Sequence, residues 1–309
     1  GPSIMNTKIE WLLGLVLLQL LLVVLVLFSD SFQEEENPRF SSLDESLVSF
    51  FEIADQDSSV KIERGDTQWQ VDGYPADADK INSILKKVSE LNAQWPIADT
   101  VTSAGRFEVG EDSFQRKLSF YDQEKSLLEE FYLGTSPSYQ RVHARQAGSS
   151  SIYSVKLSNY EFGLKRDDWL DKTLASVSGD ISRIHIASSR DGLAIDKTIT
   201  QDDGVWKIQG ELADQAAAKI YVERFNNLRV LGIADESGEK VADLELTVDG
   251  KKELISLFGI EDEEGVIEDY FIESNDVPGI FRLATYVAEQ ILLTDTDLLP
   301  SDPEGEPTE

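Results

Sequence analysis

The chain has 309 residues, no cysteine, and 58 acidic against 28 basic side chains, a formal net charge of -30. That charge argues against a nucleic-acid-binding surface and against a polybasic membrane-surface module, because the partner's phosphates would be repelled. The lack of cysteine excludes disulfides, thiolate catalysis and cysteine zinc sites, so any exported domain must fold on its core alone.

In chain order, residues 1–4 precede the first methionine and read as a tag-removal scar, followed by an anchor over 5–28. From Trp11 to Phe28 the sequence is WLLGLVLLQLLLVVLVLF, uncharged and interrupted only by the polar Gln19. At about 1.5 Å per residue such a run covers a bilayer's hydrocarbon core. It exceeds the usual apolar length of a signal peptide and no small-x-small cleavage site follows it, so an uncleaved transmembrane helix is expected. Lys8 on one side and Glu34-Glu35-Glu36 on the other place the N-terminus in the cytoplasm and the remainder outside. Gln19, an amide at mid-membrane, is the candidate contact with a partner's membrane helix, although a lone span also tolerates one Gln.

An acidic linker is expected over 29–46, then a repeat domain over 47–175, a second over 180–294, and a disordered acidic tail over 295–309. The duplication is clearest between WQVDGYPADADKINSILKKVSELNAQWPIAD from Trp69 and WKIQGELADQAAAKIYVERFNNLRVLGIAD from Trp206. Trp69 matches Trp206, Gly73 matches Gly210, Ala76-Asp77 match Ala213-Asp214, and Ile97-Ala98-Asp99 match Ile233-Ala234-Asp235. Ile81, Ile84, Leu85, Val88 and Leu91 have the spacing of Ala218, Tyr221, Val222, Phe225 and Leu228, one apolar stripe per copy at a period near 3.6. Each copy reads as strand, turn and amphipathic helix.

Before that unit, alternating segments predict strands at Leu47 and Val60 in the first copy, Ile181 and Leu193 in the second. After it come segments at Lys117, Ser126, Tyr139 and Ser151 in the first copy, and at Asp243, Lys252, Glu268 and Gly279 in the second. The expected fold is α+β, two tandem repeats of three strands, a helix and three strands with a closing helical stretch, each an antiparallel sheet with packed helices. Asp249-Gly250 signals a hairpin turn.

No residue pattern assembles a catalytic site, a cofactor site or a metal site. The two histidines, His143 and His185, lie in predicted strands without companions at ligand spacing. Ser83-Ile84-Leu85-Lys86 matches S-x-x-K, but both functional positions face away from the apolar stripe and the class's other signatures are absent. The run Glu261-Asp262-Glu263-Glu264 lacks the alternating oxygen ligands of a calcium loop and reads as solvated. Trp69 and Trp206 read as core and Trp11 as interfacial, whereas Trp95 and Trp169 are less constrained, with a ligand platform at either as the alternative to packing.

One span, a two-copy external region, a Trp strand before each helix, and the Trp169-Leu170-Asp171-Lys172 turn entering DISRIHIAS together make a pattern. It resembles bacterial domain-of-unknown-function proteins found beside gliding-motility-type (Gld-type) ABC transporter subunits. The resemblance implies a non-enzymatic accessory subunit anchored in the bacterial inner membrane, its bulk periplasmic, with a separate permease and ATPase as partners and no cofactor. It carries over no functional residue. The alternatives are a periplasmic cell-envelope hydrolase using carboxylates and a structural envelope scaffold.

Overall fold

The computed structural model describes residues 11, 14–24, 38–190, 193–292 and 298–300, apart from the side chain of residue 189. Residues 14–24 are helical with exposed side chains, Gln19 among them. Among the described residues no helix is long and apolar enough to cross a membrane. The rest of the expected anchor, 5–10, 12–13 and 25–28, lies outside the described residues, as do the scar, the first half of the acidic linker (29–37) and most of the tail.

The first sheet contains β1 (Phe50–Ala54), β2 (Ser59–Arg64), β3 (Trp69–Val71), β4 (Tyr74–Pro75), β5 (Arg116–Tyr121), β6 (Leu127–Leu133), β7 (Val142–Gln146) and β8 (Ile152–Val155). The helices α1 (Ala78–Ser89) and α2 (Val101–Arg106) fall between β4 and β5. The second sheet contains β9 (Ile181–Arg190), β10 (Leu193–Asp202), β11 (Val205–Ile208) and β12 (Glu211–Leu212). It continues through β13 (Gly232–Ile233), β14 (Glu239–Val248), β15 (Lys251–Glu261), β16 (Ile267–Ser274) and β17 (Ile280–Leu283). α3 (Gln215–Asn226) precedes β13 and α4 (Thr285–Ile291) follows β17.

The strand order is β4-β3-β2-β1-β5-β6-β7-β8 in the first sheet and β12-β11-β10-β9-β14-β15-β16-β17-β13 in the second. Apart from the appended β13 the two orders correspond strand for strand, and the pairings within them are antiparallel. The protein is therefore mostly antiparallel sheet with a few helices, arranged as two sheets.

The repeated residues have physical reasons. Ala76 and Ala213 are buried, and their N–H groups donate to the carbonyls of Trp69 (2.8 Å) and Trp206 (3.1 Å). The following Asp is the helix cap in both copies: Asp77 Oδ1 accepts from Lys80 N and Asp214 Oδ1 from Ala217 N, each at 3.0 Å. Such a cap satisfies an otherwise orphan helical N–H and contributes about 0.5–2 kcal/mol. Between Trp and Ala the chain reverses through Asp72-Gly73 (φ 52° and 79°) and Gln209-Gly210 (φ 51° and 84°), a left-handed pair that requires glycine second. Asp249-Gly250 (φ 48° and 78°) makes the same turn between β14 and β15, as the dipeptide predicts.

Both predicted apolar stripes are buried in full: Ile81, Ile84, Leu85, Val88 and Leu91, then Ala218, Tyr221, Val222, Phe225 and Leu228. The closing Ile-Ala-Asp segment also has one role in both copies, lying along the last strand of its sheet. Ala98 bridges Ile152 of β8, and Ile233 of β13 pairs with Phe281 of β17.

Other expectations need correcting. Residues 45–47 form a 3-10 turn, so the first strand starts at Phe50 and not at Leu47. Four strands, β5–β8, follow the helices in the first half and five, β13–β17, follow α3 in the second, where three were expected. Gly279 onward gives β17 before it gives α4, and between β8 and β9 there are 3-10 turns at Asn159–Glu161 and Arg166–Asp168. Within the segment read as linker, Phe40, Ser41 and Leu43 are buried, with Phe40 edge-on to Phe131 at 5.5 Å and Ser41 Oγ donating to Glu129 at 2.6 Å. Within the segment read as tail, Leu298 is buried and its carbonyl accepts from Asp214 N.

Two compact units can be distinguished: Gly1–Val48 with Ala54–Asp57 and Ile84–Phe162, and Ser49–Ile53 with Ser58–Ser83 and Gly163–Glu309. The first has Phe131 at the centre of an aromatic group with Phe40 and Phe120, and a further cluster of Ala104, Val109, Tyr132 and Ile152. In the second, Phe51 is edge-on to both Trp69 (6.0 Å) and Trp169 (5.6 Å), and Tyr221 to Phe225.

Candidate functional site

In the first unit the segment between α1 and α2 carries a tryptophan that is 82 % exposed, Trp95. Burying an indole is among the larger gains available to a side chain, so one left in water at a fixed position calls for a reason. Trp95 is fixed from both sides. Upstream, Leu91 O accepts from Phe40 N (2.8 Å) and Ala93 N donates to Pro38 O (2.9 Å). Downstream, Ile97 N donates to Ile152 O (2.7 Å) and Ala98 O accepts from Ile152 N (2.8 Å). Only Gln94, Trp95 and Pro96 lie between these anchored points, and proline locks its own φ.

Trp95 lines a groove of about 610 Å³ with Lys87, Glu90, Asn92, Arg141 and Lys156 among its other walls. That is the size of small-molecule sites in general, roughly 300–1,000 Å³. Its cations differ in how they are held. Lys87 pairs with Glu161. Arg141 donates from Nε to Ser154 Oγ (2.9 Å) and from an Nη to Ser154 O, which orients the guanidinium without neutralising it. Arg141 and Lys156 make no ion pair among the described residues. In a chain of net charge -30, two cations outside any described ion pair beside an exposed indole, with Glu90 on the same groove, are a local excess of positive charge.

A groove of similar volume in the second unit is lined by Arg166, Asp167, Asp235, Tyr270 and Arg282. Its arginines are spent on structure. Arg166 bridges Asp72 (3.1 Å) and Asp235 (2.8 Å), and Arg282 meets Asp167 Oδ2 at 2.7 Å while Asp167 Oδ1 accepts from Ile233 N at 2.9 Å. A Cβ on Gly232 would overlap that Asp167 carboxylate, so the close approach needs glycine there.

The residues singled out from sequence are dispersed. His143 in β7 is buried, its Nδ1 2.8 Å from Thr135 Oγ1 and its ring 4.5 Å from that of Phe107. Burial holds its pKa below the ordinary imidazole value. His185 in β9 meets Thr198 Oγ1 at 3.0 Å. Ser83 and Lys86 are exposed on α1, away from its buried stripe. Glu261 meets Arg190, and Asp262 Oδ1 accepts from Glu264 N and Val266 N (both 2.8 Å), which closes the acidic run into a turn. Among the described residues, no group of three or more His, Asp or Glu is placed to hold a metal ion.

Of the two tryptophans left open, Trp169 is core. It is fully buried, its indole N–H donates to Gly163 O at 2.8 Å, and Lys80 Nζ sits 4.4 Å over its ring. Burial lowers the Lys80 pKa although Asp168 and Asp77 oppose the shift. Trp69 and Trp206 are buried as expected, and Trp11 is exposed. Lys87, Arg141 and Lys156 were not anticipated, because they come from three separate segments and only the fold collects them. The one local signal was Trp-Pro inside an aperiodic stretch, where no core role is assigned by pattern.

No curated protein matches this chain, and no solved structure does. The pattern of one family matches residues 69–247, more than half the chain, from the first repeated Trp strand into β14. The chain belongs to that family, Domain of unknown function (DUF4340).

Proposed function

We propose that this chain is a membrane-anchored, non-enzymatic subunit of a bacterial ABC transporter complex of the Gld type, with the Trp95 groove as its contact for substrate or an outer partner. In this reading Trp11 to Phe28 crosses the inner membrane once, N-terminus inside, and Gln19 meets the permease within the bilayer. Both sheets then lie in the periplasm, and a separate permease and ATPase supply the transport work.

The observation that carries the reading is Trp95, an indole 82 % exposed yet held on both sides by backbone hydrogen bonds. An exposed aromatic on a backbone that is already held loses little backbone entropy when it is covered, so it serves recognition well. The groove also holds Glu90, but no hydroxyl or imidazole is among its walls to pair with that carboxylate beyond Ser154, which is engaged by Arg141. Its composition therefore favours holding a ligand over transforming one.

The test is purification of the full-length chain from its native membrane in mild detergent, with identification of co-purifying proteins. An ABC permease and its ATPase are expected in stoichiometric amounts. Their absence, with envelope-synthesis enzymes in their place, overturns the transporter reading.

A further inference from the structure

Two features of the Trp95 groove constrain its ligand. The exposed indole offers an extended flat π face whose quadrupole is negative, so it attracts C–H groups bearing partial positive charge as well as cations. A cation is disfavoured here, because Arg141 and Lys156 line the same groove. The complementary partner for the indole is thus a neutral, weakly polar face rich in C–H bonds, such as the apolar face of a pyranose ring.

The polar walls narrow it further. Arg141 keeps part of its guanidinium edge after its bonds to Ser154, and Lys156 keeps its ammonium, and both favour a carboxylate. Glu90 and Asn92 line the same groove. An acidic peptide carries carboxylates without side-chain hydroxyls, so it would bring charge against Glu90 with no hydroxyl donor beside it, a repulsive contact of the kind that excludes wrong partners. A neutral sugar would satisfy Glu90 through its hydroxyls, since a carboxylate only accepts, and would leave both cations without use. One ligand class uses these five walls together: a saccharide with a C–H face for Trp95, hydroxyls for Glu90 and Asn92, and a carboxylate for Arg141 and Lys156.

We infer that the Trp95 groove is a binding site for an acidic saccharide, a sugar chain bearing a uronic-acid-type carboxylate. The inference rests on the groove being the chain's ligand contact and adds its chemistry. Backbone anchoring of residues 91–93 and 97–98 means that the backbone carrying Trp95 is placed before the ligand arrives, so binding spends little on ordering that segment.

The experiment is calorimetric titration of the purified full-length chain in detergent with trigalacturonate, with galactotriose as the neutral counterpart and hexaglutamate as the acidic peptide. Indole N–H signals are followed by NMR in parallel, with Trp95→Phe used to assign the Trp95 resonance. Trigalacturonate is expected to bind at least about tenfold more tightly than either comparator and to shift the Trp95 signal. Trp95→Ala should weaken it by about tenfold or more, as for a central aromatic anchor. Lys156→Gln, which breaks no ion pair among the described residues, should weaken it about threefold or more and reduce its sensitivity to salt.

Equal or tighter binding of hexaglutamate overturns the inference in favour of a peptide site. Equal binding of galactotriose, an unmoved Trp95 signal, or no binding of any of the three also overturns it. Failure of this reading is distinguishable from failure of the transporter reading: the saccharide is scored with the isolated chain, the transporter subunits by co-purification from membranes.

Discussion

His143 exemplifies how burial fixes the state of a titratable side chain in this protein. The ring lies in β7 beside Phe107, with Thr135 Oγ1 near Nδ1, and desolvation pushes its pKa down against an opposing hydrogen bond that the ring makes to the Thr135 backbone. In the unfolded chain the same imidazole titrates near 6.5. Because the folded value is the lower one, the unfolded state binds more protons between the two values, and stability rises with pH across that interval. The contribution is complete above about pH 6.5 and is lost as pH falls through the lowered folded value. His143→Gln should therefore reduce the loss of stability between about pH 7 and about pH 5 relative to the parent chain, as measured by urea midpoints at each pH. An unchanged difference between the two midpoints would show that His143 titrates alike in both states.

At the scale of elements, α3 divides its residues sharply. Phe225 is fully buried with Tyr221 at 5.5 Å, whereas Ile220 on the same helix is 57 % exposed. Phe225→Ala removes a ring from a packed core and should cost about 3–5 kcal/mol, while Ile220→Ala should stay within about 0.5 kcal/mol. Urea unfolding of the two variants beside the parent measures both, and comparable losses would mean that the helix packs by another face. This division was legible in the sequence, because a period near 3.6 reports directly which side of a helix meets the core. The Trp strand, the glycine turn and the capping Asp were legible for a similar reason: each is a local hydrogen-bond or dihedral requirement repeated at a fixed offset. The strand order was not, since pairing partners such as β9 and β14 are far apart in sequence and alternation alone names no neighbour. Nor was the groove. Trp95 and Trp169 both sit in aperiodic segments, and only the fold buries one against Phe51 and leaves the other in water. The short β4 and β12 were hidden inside what read as a turn, because two-residue strands carry no period.

For the whole molecule, a net charge of -30 gives no attraction to an anionic membrane surface. If the chain is held at a membrane, the apolar run from Trp11 to Phe28 must hold it. The described fold resumes at Pro38, whose carbonyl already accepts from Ala93 N, so nine residues, 29–37, lie between the run and that point. Nine residues reach at most about 30 Å, so an anchored chain would keep its first unit within touching distance of a permease's outer face. A tether of that length raises the effective concentration of the domain at a neighbouring complex to about the millimolar range, whereas it adds little to a freely diffusing enzyme. The decisive comparison replaces Trp11 to Phe28 with a cleavable signal peptide and, separately, Gln19 with Leu, in a strain lacking the native gene. Release is expected to abolish function even at normal protein levels, and Gln19→Leu to reduce it by weakening a buried amide contact worth about 0.6–2 kcal/mol. Full rescue by the released domain would make the tether dispensable and favour an enzyme acting alone in the periplasm. Loss on release with full activity of the Gln19→Leu chain would keep the tether and remove the mid-membrane hydrogen bond from the mechanism.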